Sequence, residues 1–279
     1  PVDTLNSAQL KWSHFFEDEH LIALIDTALA NNQELRIMMQ QIDVARNEVK
    51  ARKGEYLPFI NYGAGAEVEK VGEYARNGAV EKNLDIREGE EFPEPLTDYS
   101  AGLFATWELD VWKKLRNSKK AATLEYLSTI EGKNFMVTRL IAEIAQSYYE
   151  LIALDNQLTI IEQNLELQGN ALTMVRLQKQ AARATELAVK RFEAEVAKNK
   201  SHKFEVLQEI VEMENKLNFL VGRQPQHIAR NSDDFIATAI NTIDAGIPSQ
   251  LLLNRPDIRQ AEFELEAAKL NIKVARATF

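Results

Sequence analysis

The chain reads as mainly α, built from long antiparallel helical hairpins with a two-stranded β-hairpin inserted. Three observations predict this. From about Asp110 to about Ala184 apolar residues return at steps of three and four, with no proline and with only Gly132 and Gly169 as glycines. From Thr185 to Gly222 the same period resumes after a short break. Between Pro58 and Glu108 the period falls to two, twice over.

Residues 1–57 form an arm and the first helices. Trp12, Phe15 and Phe16 are aromatic anchors on an otherwise polar arm. Asp18 is placed to cap a short helix over Leu21, Leu24, Ile25 and Ala28. Asn31 reads as the cap of the next helix, with Glu34 three residues on as in a capping box. Leu35, Met38, Met39, Ile42, Ala45 and Val49 give that helix its stripe. Pro58 stops it soon after Tyr56, because the residue before a proline is driven out of the helical region.

Residues 58–108 form the β-hairpin. Ile60, Tyr62, Ala64, Ala66 and Val68 alternate with Asn61, Gly63, Gly65, Glu67 and Glu69. Tyr99, Ala101, Leu103, Ala105 and Trp107 alternate with Ser100, Gly102, Thr106 and Glu108, and Phe104 breaks the pattern. Each run is about the 9–11 residues that a tilted strand needs to cross a bilayer. A soluble hairpin packed on a helix gives the same alternation, so alternation alone leaves both readings open. The stretch from Gly72 to Leu96 reads as a long acidic loop without structure, a length unusual inside a compact domain but ordinary outside a membrane barrel.

Residues 109–222 form the long helical hairpin. A helix over Asp110–Ala184 would hold roughly 75 residues and extend roughly 110 Å. Glu108 and Asp110 read as first-turn acids that complement its dipole. Ala181, Ala182, Arg183, Ala184 and Thr185 form the far turn, with Thr185 as the cap of the returning helix. Gly222 ends that helix. Residues 223–253 are a polar linker, and 254–279 open another helix with Asn254, Pro256 and Asp257 at its start.

That last helix repeats an earlier one. An offset of 223 residues sets Leu35 against Ile258, Asn31 against Asn254, Arg36 against Arg259 and Tyr56 against Phe279. The chain therefore reads as the first half of a duplicated protein plus the opening helix of the second.

Composition excludes several functions. Formal net charge is −9, from 33 Lys+Arg against 42 Asp+Glu, which disfavours nucleic acid as a partner. With no cysteine there is no thiol nucleophile and no thiolate metal site. No nucleophile, phosphate or metal motif stands out, so neither catalysis nor a cofactor is expected.

Three segments resemble the TolC-like outer-membrane efflux channels, in particular the NodT-type lipoprotein branch of resistance-nodulation-division systems. They are Trp107-Glu108-Leu109-Asp110-Val111-Trp112-Lys113-Lys114-Leu115-Arg116, Leu251-Leu252-Leu253-Asn254-Arg255-Pro256-Asp257-Ile258, and Asn271-Ile272-Lys273-Val274-Ala275-Arg276-Ala277-Thr278-Phe279. Two departures stand out. The family has glycine where Lys113 stands, and usually glycine at the far turn, where this chain has Ala181-Ala182, which predicts a less sharp turn.

The resemblance implies a homotrimer when full length. Its helices would be staves of a periplasmic α-barrel, and its strands would join a shared membrane β-barrel. It implies a Gram-negative outer-membrane location and a passive duct for drugs, metals or other small molecules. The implied partners are a periplasmic adaptor, an inner-membrane pump and outer-membrane lipid. Ala181–Thr185 become the adaptor-docking tip, and Tyr62, Tyr99 and Trp107 an interfacial aromatic belt. The alternative is a periplasmic coiled-coil adaptor or interaction protein without a pore.

Overall fold

The computed structural model describes residues 12–232 and 254–278. The sequence readings on residues 1–11 and 233–253, and on Phe279, lie outside the described residues. The described elements are α1 (Trp12–Phe15), α2 (Glu19–Asn31), α3 (Gln33–Gly54), β1 (Phe59–Glu69), α4 (Arg76–Asn83), β2 (Leu96–Thr106), α5 (Lys114–Gln180), α6 (Glu186–Val221) and α7 (Pro256–Arg276). They fall into two compact units, divided within α3, α5 and α7.

The first unit comprises the described parts of Pro1–Asn47 and Ala122–Ala268. Asp18 starts α2 as its spacing predicts, accepting from the backbone N–H of His20 at 2.8 Å and of Leu21 at 3.2 Å. Its other carboxylate oxygen accepts from the Tyr148 hydroxyl at 2.8 Å, so one side chain both caps α2 and pins it to α5. Leu21, Leu24, Ile25 and Ala28 of α2 bury against Ile144, Tyr148 and Leu151 of α5, and Leu217, Leu220 and Val221 of α6. Each such leucine or isoleucine stabilises the fold by about 1.5–3 kcal/mol on burial. Trp12 and Phe16 pack on the edge of this cluster.

α5 holds 67 residues, a contour length of about 100 Å at 1.5 Å per residue. α6 returns antiparallel along it, tied by Glu162–Lys203 (2.7 Å), Gln168–Asn199 (2.8 Å) and Arg176–Glu193 (2.8 Å). On α6, Thr185 and Gly222 take the capping roles expected of them.

The cap of α3 is corrected by one residue. Asn31 closes α2, and Asn32 is the junction. The Asn32 side chain accepts from Leu35 N–H at 3.0 Å and donates to the Leu220 carbonyl at 2.8 Å. The 223-residue offset sets Gln33 against Pro256, the first residues of α3 and α7. The cap is not repeated, since Arg255 rather than Asn254 precedes Pro256 and bonds Asp257 at 2.5 and 3.0 Å. Pro256 suits a first helical position, where a missing N–H loses no bond. The Arg255 guanidinium holds the Asp257 carboxyl below its ordinary value.

The second unit comprises Glu48–Ala121 and the described part of Lys269–Phe279. β1 and β2 pair antiparallel over eleven positions, from Phe59 opposite Thr106 to Glu69 opposite Leu96. The connection between them is not structureless. It holds α4, whose buried residue is Gly78, and a small bridge between Arg87 and Glu90.

The start of α5 is also corrected. Glu108 and Asp110 precede the helix instead of lying in its first turn. Asp110 is a cap: its carboxylate accepts from Leu115 N–H (2.9 Å), Arg116 N–H (3.0 Å) and the Arg116 side chain (2.9 Å). Burial pushes the Asp110 carboxyl up, but the bonds from Arg116 and Leu115 outweigh it and the net shift is downward. Lys113 sits between cap and helix at φ 61, in the left-handed region.

Candidate functional site

The register sorts the hairpin into two faces. Ile60, Tyr62, Ala64, Ala66 and Val68 lie opposite Ala105, Leu103, Ala101, Tyr99 and Thr97. Directly opposed residues share a face, so one side of the ribbon is apolar almost throughout. Asn61, Gly63, Gly65 and Glu67 lie opposite Phe104, Gly102, Ser100 and Asp98, which makes the other side small or polar at every position but Phe104. The apolar side is open in the single chain: Tyr62 is 73% exposed and Leu103 76%. An uncovered apolar face of this size marks a surface meant for a lipid or protein neighbour.

The expected belt residues are spread along this ribbon. Trp107 sits just beyond β2, its indole N–H donating to the Tyr56 carbonyl at 3.1 Å. Tyr62 lies three residues up β1 from Phe59, about 10 Å at 3.4 Å per residue. Tyr99 lies seven residues from the Thr106 end of β2, about 24 Å by the same rise. Trp107 and Tyr99 thus bracket most of the ribbon, and on a strand tilted about 45° an eleven-residue ribbon gives roughly the 25 Å height of a membrane apolar band.

At the far end of the helical hairpin the turn stays tight. Ala182 takes φ 59. Its N–H donates to the Lys179 carbonyl at 2.9 Å, and Arg183 N–H donates to the Gln178 carbonyl at 2.8 Å. This is the paired closure of a Schellman motif, normally built on glycine. The less sharp turn expected from Ala181-Ala182 is therefore not what forms. Both departures from the family's glycines, Lys113 and Ala182, are the two non-glycine residues with positive φ among the described residues. The backbone keeps its shape there, at about 1 kcal/mol relative to glycine in each place.

Ala181, Ala182, Arg183 and Thr185 are exposed at the tip and Ala184 is half-buried. The Thr185 hydroxyl accepts from Ala188 N–H at 3.2 Å. Below the turn, Glu193 accepts from Arg176 at 2.8 Å and from Lys190 at 2.9 Å, and Lys179 pairs with Glu186. The bonds from Lys190 and Arg176 hold the Glu193 carboxyl at about 2.

The base carries a cluster that the sequence did not reveal. Arg230 is 8% exposed and lies between two carboxylates. Its guanidinium donates to both oxygens of Asp155 at 2.5 and 2.8 Å, and to Glu214 at 2.5 Å. Ser232 adds a bond to Asp155 at 2.7 Å. Burial pushes the Asp155 carboxyl up, but the bonds from Arg230 and Ser232 leave it below its ordinary value.

A long helical hairpin joined to a short two-faced β-ribbon is the architecture of a stave in a TolC-like α-barrel channel. Residues 24–223 match the family model described as Outer membrane efflux protein. The chain belongs to that family. It is 28% identical over 278 residues to the solvent efflux pump outer membrane protein SrpC of Pseudomonas putida, covering 99% of this chain and 56% of SrpC. It is 30% identical over 271 residues to the cation efflux system protein CusC of Escherichia coli strain K12, covering 96% of this chain and 55% of CusC.

Among solved structures it resembles a membrane protein from Pseudomonas aeruginosa, with a TM-score of 0.84 and 26% identity over 97% of this chain and 60% of that one. It also resembles a crystal structure of CusC, with a TM-score of 0.79 and 28% identity over 97% of this chain and 59% of that one. The chain thus spans a little over half the length of these relatives. Membership favours the channel reading over the pore-free adaptor.

Proposed function

We propose that this chain belongs to the outer-membrane duct of a tripartite efflux pump, a passive and non-enzymatic path from the periplasm across the outer membrane of a Gram-negative bacterium. The observation that carries this reading is the open apolar face of the β-ribbon, joined through Asp110 to a 67-residue helix. Only a closed barrel satisfies every backbone group in lipid, and two strands cannot close one. The ribbon therefore needs strands from other parts of the assembly, and a homotrimer of the full-length protein would supply them. The apolar face then meets lipid, with Tyr99 and Trp107 near its two edges and Tyr62 between them. The small polar face lines water.

The energy comes from an inner-membrane pump, and the duct supplies geometry. Ala181–Thr185 are the docking surface for the periplasmic adaptor, with Arg183 as the exposed charge. What supports this is the position of the turn at the end of the long hairpin, opposite the base that carries the core. Planar-bilayer recording of the full-length protein tests the reading. Stepwise conductance is expected, and a correctly folded protein that never conducts would overturn it.

A further inference from the structure

We propose that Phe104 is a specificity-determining residue of this duct, an aromatic contact for ring-bearing apolar or cationic solutes in the barrel lumen. The inference rests on the channel reading above. It starts from the residue that breaks the alternation of β2. Phe104 lies opposite Asn61, on the same face as Ser100, Glu67 and Asp98. Charges on that face require water, so in a closed barrel it is the lumenal face.

Phe104 stands over a gap. Gly63 and Gly102 face each other across the two strands. A Cβ on Gly63 would come within 3.1 Å of Phe104 Cε2, and one on Gly102 within 3.4 Å of its Cζ. The ring therefore lies over both glycines, tightly at Gly63 and in ordinary van der Waals contact at Gly102. Its outward side stays open, and the residue is 61% exposed.

Along the ribbon the next residues on that face are Gly65 and Ser100, too small to shield it. The Glu67–Asp98 pair follows, about 20 Å from Phe104 at 3.4 Å per residue. A solute in the lumen meets a flat π-face seated over the two glycines, with carboxylates further along. That chemistry recognises an aromatic ring or an organic cation. A leucine would cover the glycines equally well but would offer no such face.

The test is blockade of single channels of the full-length protein in planar bilayers, with phenyltrimethylammonium and tetraethylammonium as probes. Phe104→Leu keeps an apolar cover over the glycines, and Phe104→Tyr keeps the ring. The expected result is that Phe104→Leu weakens phenyltrimethylammonium block by about three- to tenfold. Tetraethylammonium block should stay within about twofold, and Phe104→Tyr should match the native residue. Equal changes for both probes, or no change for either, would overturn the assignment while leaving the channel standing. A native protein that makes no pore would overturn the channel reading and this assignment with it.

Discussion

The two ends of the helical hairpin close with the same backbone device and hold it in opposite ways. At the base, Gly222 takes φ 77 and Arg223 N–H reaches back to the Asn218 carbonyl at 3.0 Å. At the tip, Ala182 takes φ 59 and Arg183 N–H reaches back to Gln178 at 2.8 Å. The base position has no alternative to glycine, because a Cβ on Gly222 would lie 2.7 Å from the Asn31 carbonyl oxygen. The tip position is open to solvent and tolerates alanine. The ion pairs differ in the same sense. Arg230, Asp155 and Glu214 are mostly buried, whereas Arg176, Lys190 and Glu193 lie on the surface. Burial therefore makes the base rigid, and rim charge holds the tip lightly.

The largest expected effect tests the base. Arg230→Met strands two mostly buried carboxylates and should lower unfolding stability by about 3 kcal/mol, read by circular dichroism against urea. A loss under about 1 kcal/mol would put this cluster on the same footing as the tip and erase the contrast. Gly222→Ala comes next, with an expected loss of about 2–3 kcal/mol from its left-handed φ and the contact with Asn31. The mirror change at the tip, Ala182→Gly, should gain about 1 kcal/mol, and so should Lys113→Gly. A loss from Ala182→Gly would mean that the tip is held by more than its backbone.

Acid and salt give the smallest effect. Asp155 and Glu193 both have depressed carboxyls when folded. Each therefore contributes stability above its unfolded value of about 4, which is lost as the pH falls through the folded value. For Glu193 that window runs down to about 2. Salt at about 1 M should remove the Glu193 contribution and spare that of Asp155, since screening acts on exposed pairs. Hydrogen exchange at the tip and at the base, followed across pH and salt, reads the two separately.

The parts of this molecule that were legible in its sequence are the periodic ones. Steps of three and four placed α5 and α6, and the alternation from Ile60 to Val68 placed β1 and its apolar and polar faces, with the exposure of the apolar face known only from the structure. Fold class followed from these, and the family resemblance from the three segments Trp107–Arg116, Leu251–Ile258 and Asn271–Phe279. The misses share a cause. α4 carries no apolar stripe, since its buried residue is a glycine, so periodicity could not see it. Asn31 and Asn32 are adjacent and chemically identical, and only the Leu220 carbonyl selects the second as the cap. Asp110 supports α5 from four residues upstream of its start, outside the first turn where acids are usually sought. Arg230 meets Asp155 across 75 residues of chain, and nothing local in a polar linker announces that pairing. Phe104 was visible as an exception, but its reason required the register that sets Gly63 against Gly102.

The central claim is that the ribbon turns one face to lipid and the other to water. Single cysteines for spin labelling can be introduced one at a time into these 279 residues, which carry none of their own. The measurement is the collision rate of a nitroxide at each position from Ile60 to Val68, with oxygen and with a water-soluble nickel chelate, in the full-length protein in liposomes. A strict period of two is expected: oxygen favoured at Tyr62, Ala64 and Ala66, nickel favoured at Asn61, Gly63, Gly65 and Glu67. Uniform values along the strand, or the opposite phase, would contradict it.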